Sequence, residues 1–217
     1  AKLGIVYASG FFLLGLFQFD FSHFAAKKVL FEALHLLWAI ATLFLVCYIS
    51  ICFINVDVAA ALPFERLSLN FLCAFILYCF FFLITGQSAT AFVLAAFVLI
   101  SMTTINGFVY VFRGKEFCPN DILSIRTAAN VASKYSYTFP PHVTFRLLLS
   151  FLLMFSQFLF PPAHRLGIMT RAVCLVLTLW SVGALSFASK DIDTEAWAYN
   201  ETEKNGFYLN FYLGIRD

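Results

Sequence analysis

The chain has 217 residues, 62% of them hydrophobic, 19% aromatic and only 12% charged, with a mean hydropathy of +0.87. A soluble domain carries roughly 25% charged residues, and one core of this size cannot hide 29 phenylalanines, so a water-soluble globule and a disordered chain are both excluded. A formal charge of +2 with no Lys/Arg cluster lacks the footprint of a nucleic-acid binder.

A spanning helix needs about 20 mostly apolar residues, because the hydrocarbon layer is roughly 30 Å thick and a helix rises about 1.5 Å per residue. Six stretches approach that length: Leu3–Phe19, Val29–Ile54, Leu67–Ile84, Ala89–Val111, Val143–Phe160 and Leu166–Ala188. They lack the period-two alternation of a lipid-facing barrel and are twice a barrel strand's length, so they read as helices. The first is the shortest and stops at Asp20. Lys27 and Lys28 follow; Asn55–Arg66 contains Pro63 and a Glu65–Arg66 pair; Thr85–Thr90 is a tight Gly-Gln-Ser turn; Pro161 and Pro162 stop the fifth stretch before His164 and Arg165. Short connections make neighbouring helices antiparallel. The expected fold is therefore all-α, a polytopic transmembrane bundle of five to six spans occupying residues 1–188.

Two segments break the apolar pattern. Between the fourth and fifth spans, at about residues 113–139, Asp121 is placed to cap a helix whose apolar face runs through Ile122, Leu123, Ile125, Ala128, Val131 and Ala132. This is the expected interfacial amphipathic helix. The tail, residues 189–217, carries Asp191, Asp193, Glu195, Glu201 and Glu203 and alternates aromatic with polar residues, which suits water or headgroups.

Charged and reactive residues within the spans are few. Glu32 and Arg171 each lie one turn into a helix beside other cations and read as interfacial anchors, whereas His35 reads as a buried hydrogen-bonding side chain. Five of the six cysteines fall inside apolar runs and read as small apolar fillers; only Cys118 lies in a polar stretch. No nucleophile elbow, zinc helix or phosphate loop is present, and the broken helices and midplane carboxylates of a coupled transporter are missing.

The most distinctive string runs from Asn106 to Leu123, through Arg113, Gly114, Lys115, Pro119, Asp121 and Ile122, and continues over Ala128, Ala129, Val131 and Tyr135. With Asn70 early in the third span and the terminal Gly206–Phe211 string, it resembles the membrane domain of the lipoteichoic acid synthase-like family, phosphoglycerol transferases of the sulfatase superfamily. The resemblance covers roughly residues 65–217. It implies a two-part enzyme, in which a bundle of about five spans precedes an extracytoplasmic sulfatase-like domain. That domain uses a threonine nucleophile and a divalent metal, typically Mn2+, to take glycerol phosphate from phosphatidylglycerol. The chain opens on Ala1 and stops at Asp217 before any such residues, so it reads as a piece of a longer protein, with residues 189–217 as the linker to that domain. No catalytic or metal-binding residue is expected in this stretch.

The resemblance sets a multi-pass cell-membrane protein with its C-terminal tail outside. Arg113, Lys115, Arg126 and Lys134 then face the outer leaflet beside Tyr110, Phe112 and Phe117, where cations and an aromatic belt suit the headgroup of phosphatidylglycerol. The positive-inside tendency favours the reverse orientation, and the local anionic substrate is the reason to set it aside. Ser186–Phe187–Ala188 has the small-x-small pattern that precedes a signal-peptidase cut. A reading from another class is a complete non-enzymatic multispan scaffold or small transporter.

Overall fold

A computed structural model describes residues 26–52, 62–113, 117–124, 141–157, 168–192 and 205–216. Those residues are helical: α1 (Ala26–Ile51), α2 (Phe64–Thr85), α3 (Ser88–Arg113), a 3-10 helix (Pro119–Ser124), α4 (Pro141–Ser156), α5 (Ile168–Ser189) and α6 (Phe207–Arg216). Among the described residues, four helices are long and apolar enough to cross a membrane, with apolar cores at Leu34–Ile51, Phe64–Thr85, Ser88–Tyr110 and Thr170–Ser189. The fifth apolar stretch forms the shorter α4; its 16 residues reach about 24 Å, less than a bilayer core. Leu3–Phe19 lies outside the described residues.

Helix α2 is the centre of the bundle, packing against α1, α3, α5 and α6, while α4 lies across α1 and α3. Small residues let the backbones approach: Ala91, Ala95 and Ala96 of α3 and Ala74 of α2 are buried, as is Phe92 between them in sequence. Phe44 stacks on Phe71 at 4.9 Å to join α1 to α2. The α2–α3 hairpin turns on Gly86, whose φ of +67° forms a left-handed C-cap with its N–H on the Phe82 carbonyl at 2.8 Å.

The distribution of polarity is inverted relative to a soluble bundle. Asn70, Gln157 and Ser181 are fully buried, while α4 presents Phe145, Leu148, Leu152 and Phe155 and α5 presents Leu175, Val176, Leu179 and Val182. These exposed residues recur at helical spacing, with the exposed polar side chains of Thr144 and Ser186 only toward the helix ends, which is a face suited to lipid tails. Inside, hydroxyls bond backward along their own helices, as in Thr42 to the Trp38 carbonyl (2.7 Å) and Thr104 to that of Ile100 (2.7 Å). Gln157, at the end of α4, donates to Thr42 at 2.9 Å, and Arg146 near the start of α4 donates to the Cys52 carbonyl at the end of α1. These two bonds set α4 antiparallel to α1 and place a cation at the negative end of α1's dipole.

Asp121 lies inside a 3-10 helix that begins two residues earlier, at Pro119, and the expected amphipathic helix from Ile125 onward lies outside the described residues. Two sequence expectations are corrected. Phe117, expected in an interfacial belt, is buried. The tail's residues 207–216 form a helix whose inner face, Phe207, Tyr208, Leu209 and Leu213, is buried rather than solvated. Ser186–Phe187–Ala188 is helical, within the last turns of α5. The cysteines, Cys118 included, are free thiols, and Cys47, Cys52, Cys79 and Cys174 are buried.

Candidate functional site

The densest polar cluster in the described chain lies where α6 docks onto α2, α3 and the 3-10 helix. Its hub is Asn70, with no exposed surface, one and a half turns into α2. The Asn70 amide nitrogen donates to the carbonyls of Arg66 (2.8 Å) and Asn205 (2.6 Å), and its oxygen accepts the Leu209 N–H at 3.0 Å. One side chain thereby bonds a carbonyl just before α6 and an N–H of its first turn, the latter a group that a helix start leaves without a partner. Gly206 permits this approach. Its φ is +77°, and a Cβ there would stand 2.5 Å from the Asn70 nitrogen.

Tyr208 enters the bundle from α6. Its hydroxyl lies 2.9 Å from the Thr103 hydroxyl and donates to the Leu99 carbonyl at 3.1 Å, both on α3. Burial raises the Tyr208 phenol above its ordinary value, so it remains a neutral hydrogen-bonding group there. A second cluster, Leu69 of α2, Leu185 of α5 and Leu209 and Leu213 of α6, closes the other side, and the Ser186 and Tyr212 hydroxyls meet at 3.0 Å.

The distinctive central string contributes the remaining wall. Asn106, buried near the end of α3, accepts the Phe117 N–H at 2.7 Å, so the chain leaving α3 is folded back within eleven residues. Pro119 opens the 3-10 helix, where its missing N–H costs nothing. Asp121 reaches back to the Cys118 N–H at 2.9 Å, while its own N–H bonds the Cys118 carbonyl at 2.9 Å. This is the reciprocal half of a capping box. Phe117, held by Asn106, stacks on Phe211 of α6 at 5.8 Å.

The structure therefore brings Asn70, Asn106, Pro119 and Asp121 into the walls around α6. Gly114, Lys115, Arg126 and Lys134 lie outside the described residues, as does the side chain of Arg113, the last residue of α3. Sequence reasoning held Tyr208 only as part of the terminal string and missed Thr103, the Phe117–Phe211 stack and the Ser186–Tyr212 pair. The available signal was the i, i+4 spacing of Leu209 and Leu213, a helical period obscured by neighbouring aromatics. Among the described residues, no group of three or more His, Cys, Asp or Glu could ligate a metal ion, and no manganese step is assigned to them. What the cluster can do is mechanical: with the leucine cluster beside it, it fixes α6 against four other helical elements, α2, α3, α5 and the 3-10 helix.

Compared with protein families, curated proteins and solved structures, the chain has no match.

Proposed function

We propose that the chain is the membrane-anchoring domain of a phosphoglycerol transferase of the lipoteichoic acid synthase-like family, and that α6 orients an extracytoplasmic catalytic domain at the outer leaflet. One observation carries the reading. The three strings that bear the resemblance, at residue 70, residues 106–121 and residues 206–211, are far apart in sequence yet converge on the α6 dock. A resemblance made of scattered apolar coincidences has no reason to assemble one buried hydrogen-bonded cluster.

In this reading the α6 end of the bundle faces outward in the cell membrane. The crossings number five to six: the four long helices, α4 with the apolar residues after it through Phe160, and Leu3–Phe19. Arg113, Lys115, Arg126 and Lys134 meet the headgroup of phosphatidylglycerol, with Arg offering a planar fork to the phosphate. Mn2+ and the threonine nucleophile belong to the catalytic domain, which is this chain's own partner.

Reading the coding sequence past Asp217 is the direct test. A following domain of roughly 350–400 residues with a sulfatase-type metal site supports the proposal; a stop codon there ends it and favours a non-enzymatic scaffold or transporter. In the full-length protein, replacing Arg113 and Lys115 with alanine is expected to slow phosphatidylglycerol turnover with little change in thermal stability. Unchanged turnover removes the headgroup role.

A further inference from the structure

At the opposite end of α2 from the α6 dock stands an arginine, at the negative end of that helix's dipole, with no ion pair among the described residues. Arg171, in the first turn of the apolar core of α5, lays its guanidinium over Gly86 at the α2–α3 turn. The fit is close: a Cβ on Gly86 would fall 2.8 Å from Cζ and 2.9 Å from Nε, and nearer still to a terminal nitrogen. The glycine therefore serves two requirements at once, the left-handed cap of α2 and the seat for a planar cation.

The polar side chains of the turn on which it sits bond neighbouring side chains or their own backbone rather than the cation. The Thr85 hydroxyl bonds the Phe81 carbonyl at 2.9 Å, the Gln87 side-chain oxygen accepts from Thr90 at 3.1 Å, and the Ser88 hydroxyl pairs with Tyr78 at 2.8 Å. The first turns of α3 and α5 contain no acidic residue. Nε of Arg171 is buried and has no hydrogen-bond partner among the described residues. A buried, unmatched guanidinium donor is costly, and five N–H donors in a fixed fork match a phosphate. About 24 Å separates residues 70 and 86 along α2, so this turn lies at the headgroup depth of the other leaflet.

We infer that Arg171 and Gly86 form a binding site for the phosphate of a phospholipid headgroup in the leaflet opposite α6. The occupant is a lipid rather than a free anion because the exposed Ile84 on the same turn and Leu175 one turn along α5 provide an apolar wall for acyl chains. The site requires only that the bundle crosses a bilayer, and stands whether or not an enzyme follows it.

The test titrates the full chain in neutral detergent with phosphatidylglycerol and counts bound lipids by native mass spectrometry. Arg171→Gln is expected to remove one lipid from the tightly held class, weakening it by at least about tenfold, as loss of a charge-assisted hydrogen bond implies. Gly86→Ala is expected to do the same by displacing the guanidinium. If Arg171→Gln fails to fold, Arg171→Lys keeps the charge without the planar fork and is expected to bind with intermediate affinity. Lipid retention equal to the unmodified chain in Arg171→Gln, or in Arg171→Lys where that substitute is used, overturns the inference. Loss of that same lipid to millimolar inorganic phosphate overturns it in favour of a free-anion site.

Discussion

Asn70 and Gly206 are coupled, because the space a Cβ on Gly206 would occupy is filled by the Asn70 amide. Replacing Asn70 with alanine removes the hydrogen bonds that its side chain gives the Asn205 carbonyl and the buried Leu209 N–H, at about 1–3 kcal/mol each. The expected result is a fall in thermal midpoint on the order of 10 °C in detergent, read by a thiol-reactive dye that reports exposure of the buried Cys47 and Cys79. Gly206→Ala alone should cost a comparable amount through clash and positive-φ strain. In the Asn70→Ala background the clash is gone and only the strain remains, so the two losses should fall short of additive. Full additivity would show that the amide does not fill the glycine's space. Tyr208→Phe is the milder change, since Thr103 still donates to the Leu99 carbonyl at 2.8 Å, and about 0.5–1.5 kcal/mol is expected.

Helix α6 depends on its neighbours. Ten residues are too few to hold a helix in isolation, so its stability comes from Leu209 and Leu213 buried against Leu69 and Leu185, and from Phe211 on Phe117. Leu209→Ala should cost about 2–5 kcal/mol. Because that loss falls on one element, hydrogen exchange of the α6 amides should accelerate while those of α3 remain protected; uniform acceleration would mean that α6 and the bundle open as one unit. The 3-10 helix offers a parallel case: Asp121→Ala removes the bond to the Cys118 N–H and should loosen the 3-10 helix by about 0.5–2 kcal/mol.

The whole molecule has two distinct ends. One carries the α2–α3 turn and the start of α5; the other carries the start of α2, the end of α5 and the α6 dock. Cysteines placed at the exposed Thr90 and Lys190 should therefore react with an impermeant reagent from opposite faces of a sealed membrane, with residue 190 labelled from outside. Labelling of both from one face would end the crossing pattern, and labelling of residue 190 only from the cytoplasm would reverse the proposed orientation.

The helices were legible because lipid solvation demands long, uninterrupted apolar runs, and such runs survive in composition alone. The Thr85–Thr90 hairpin was legible for a local reason, the glycine needed to end α2. Asp121 was identified as a capping residue, and its carboxylate reaches back to the Cys118 N–H, a contact that its spacing alone does not distinguish from a forward cap. The α6 dock was legible only as strings of unexplained specificity. Asn70 contacts residues more than 130 positions away, and nothing in its own neighbourhood signals a partner at that distance. Arg171 reads as an anchor in sequence, because the glycine on which its guanidinium rests belongs to a different helix hairpin.

What the amino-acid sequence determined by itself is the solvent and the helical class: a chain this apolar, with few charges and apolar runs near twenty residues, must surround itself with lipid. Tertiary structure alone decided which polar groups meet, namely Asn70 with the start of α6, Tyr208 with Thr103, and Arg171 with Gly86. The physical reason is range. Hydrophobic burial and helix formation follow from composition and from residues three or four apart, whereas buried hydrogen bonds need atoms within about 3 Å of each other, and in this bundle the folding of distant segments supplies that proximity.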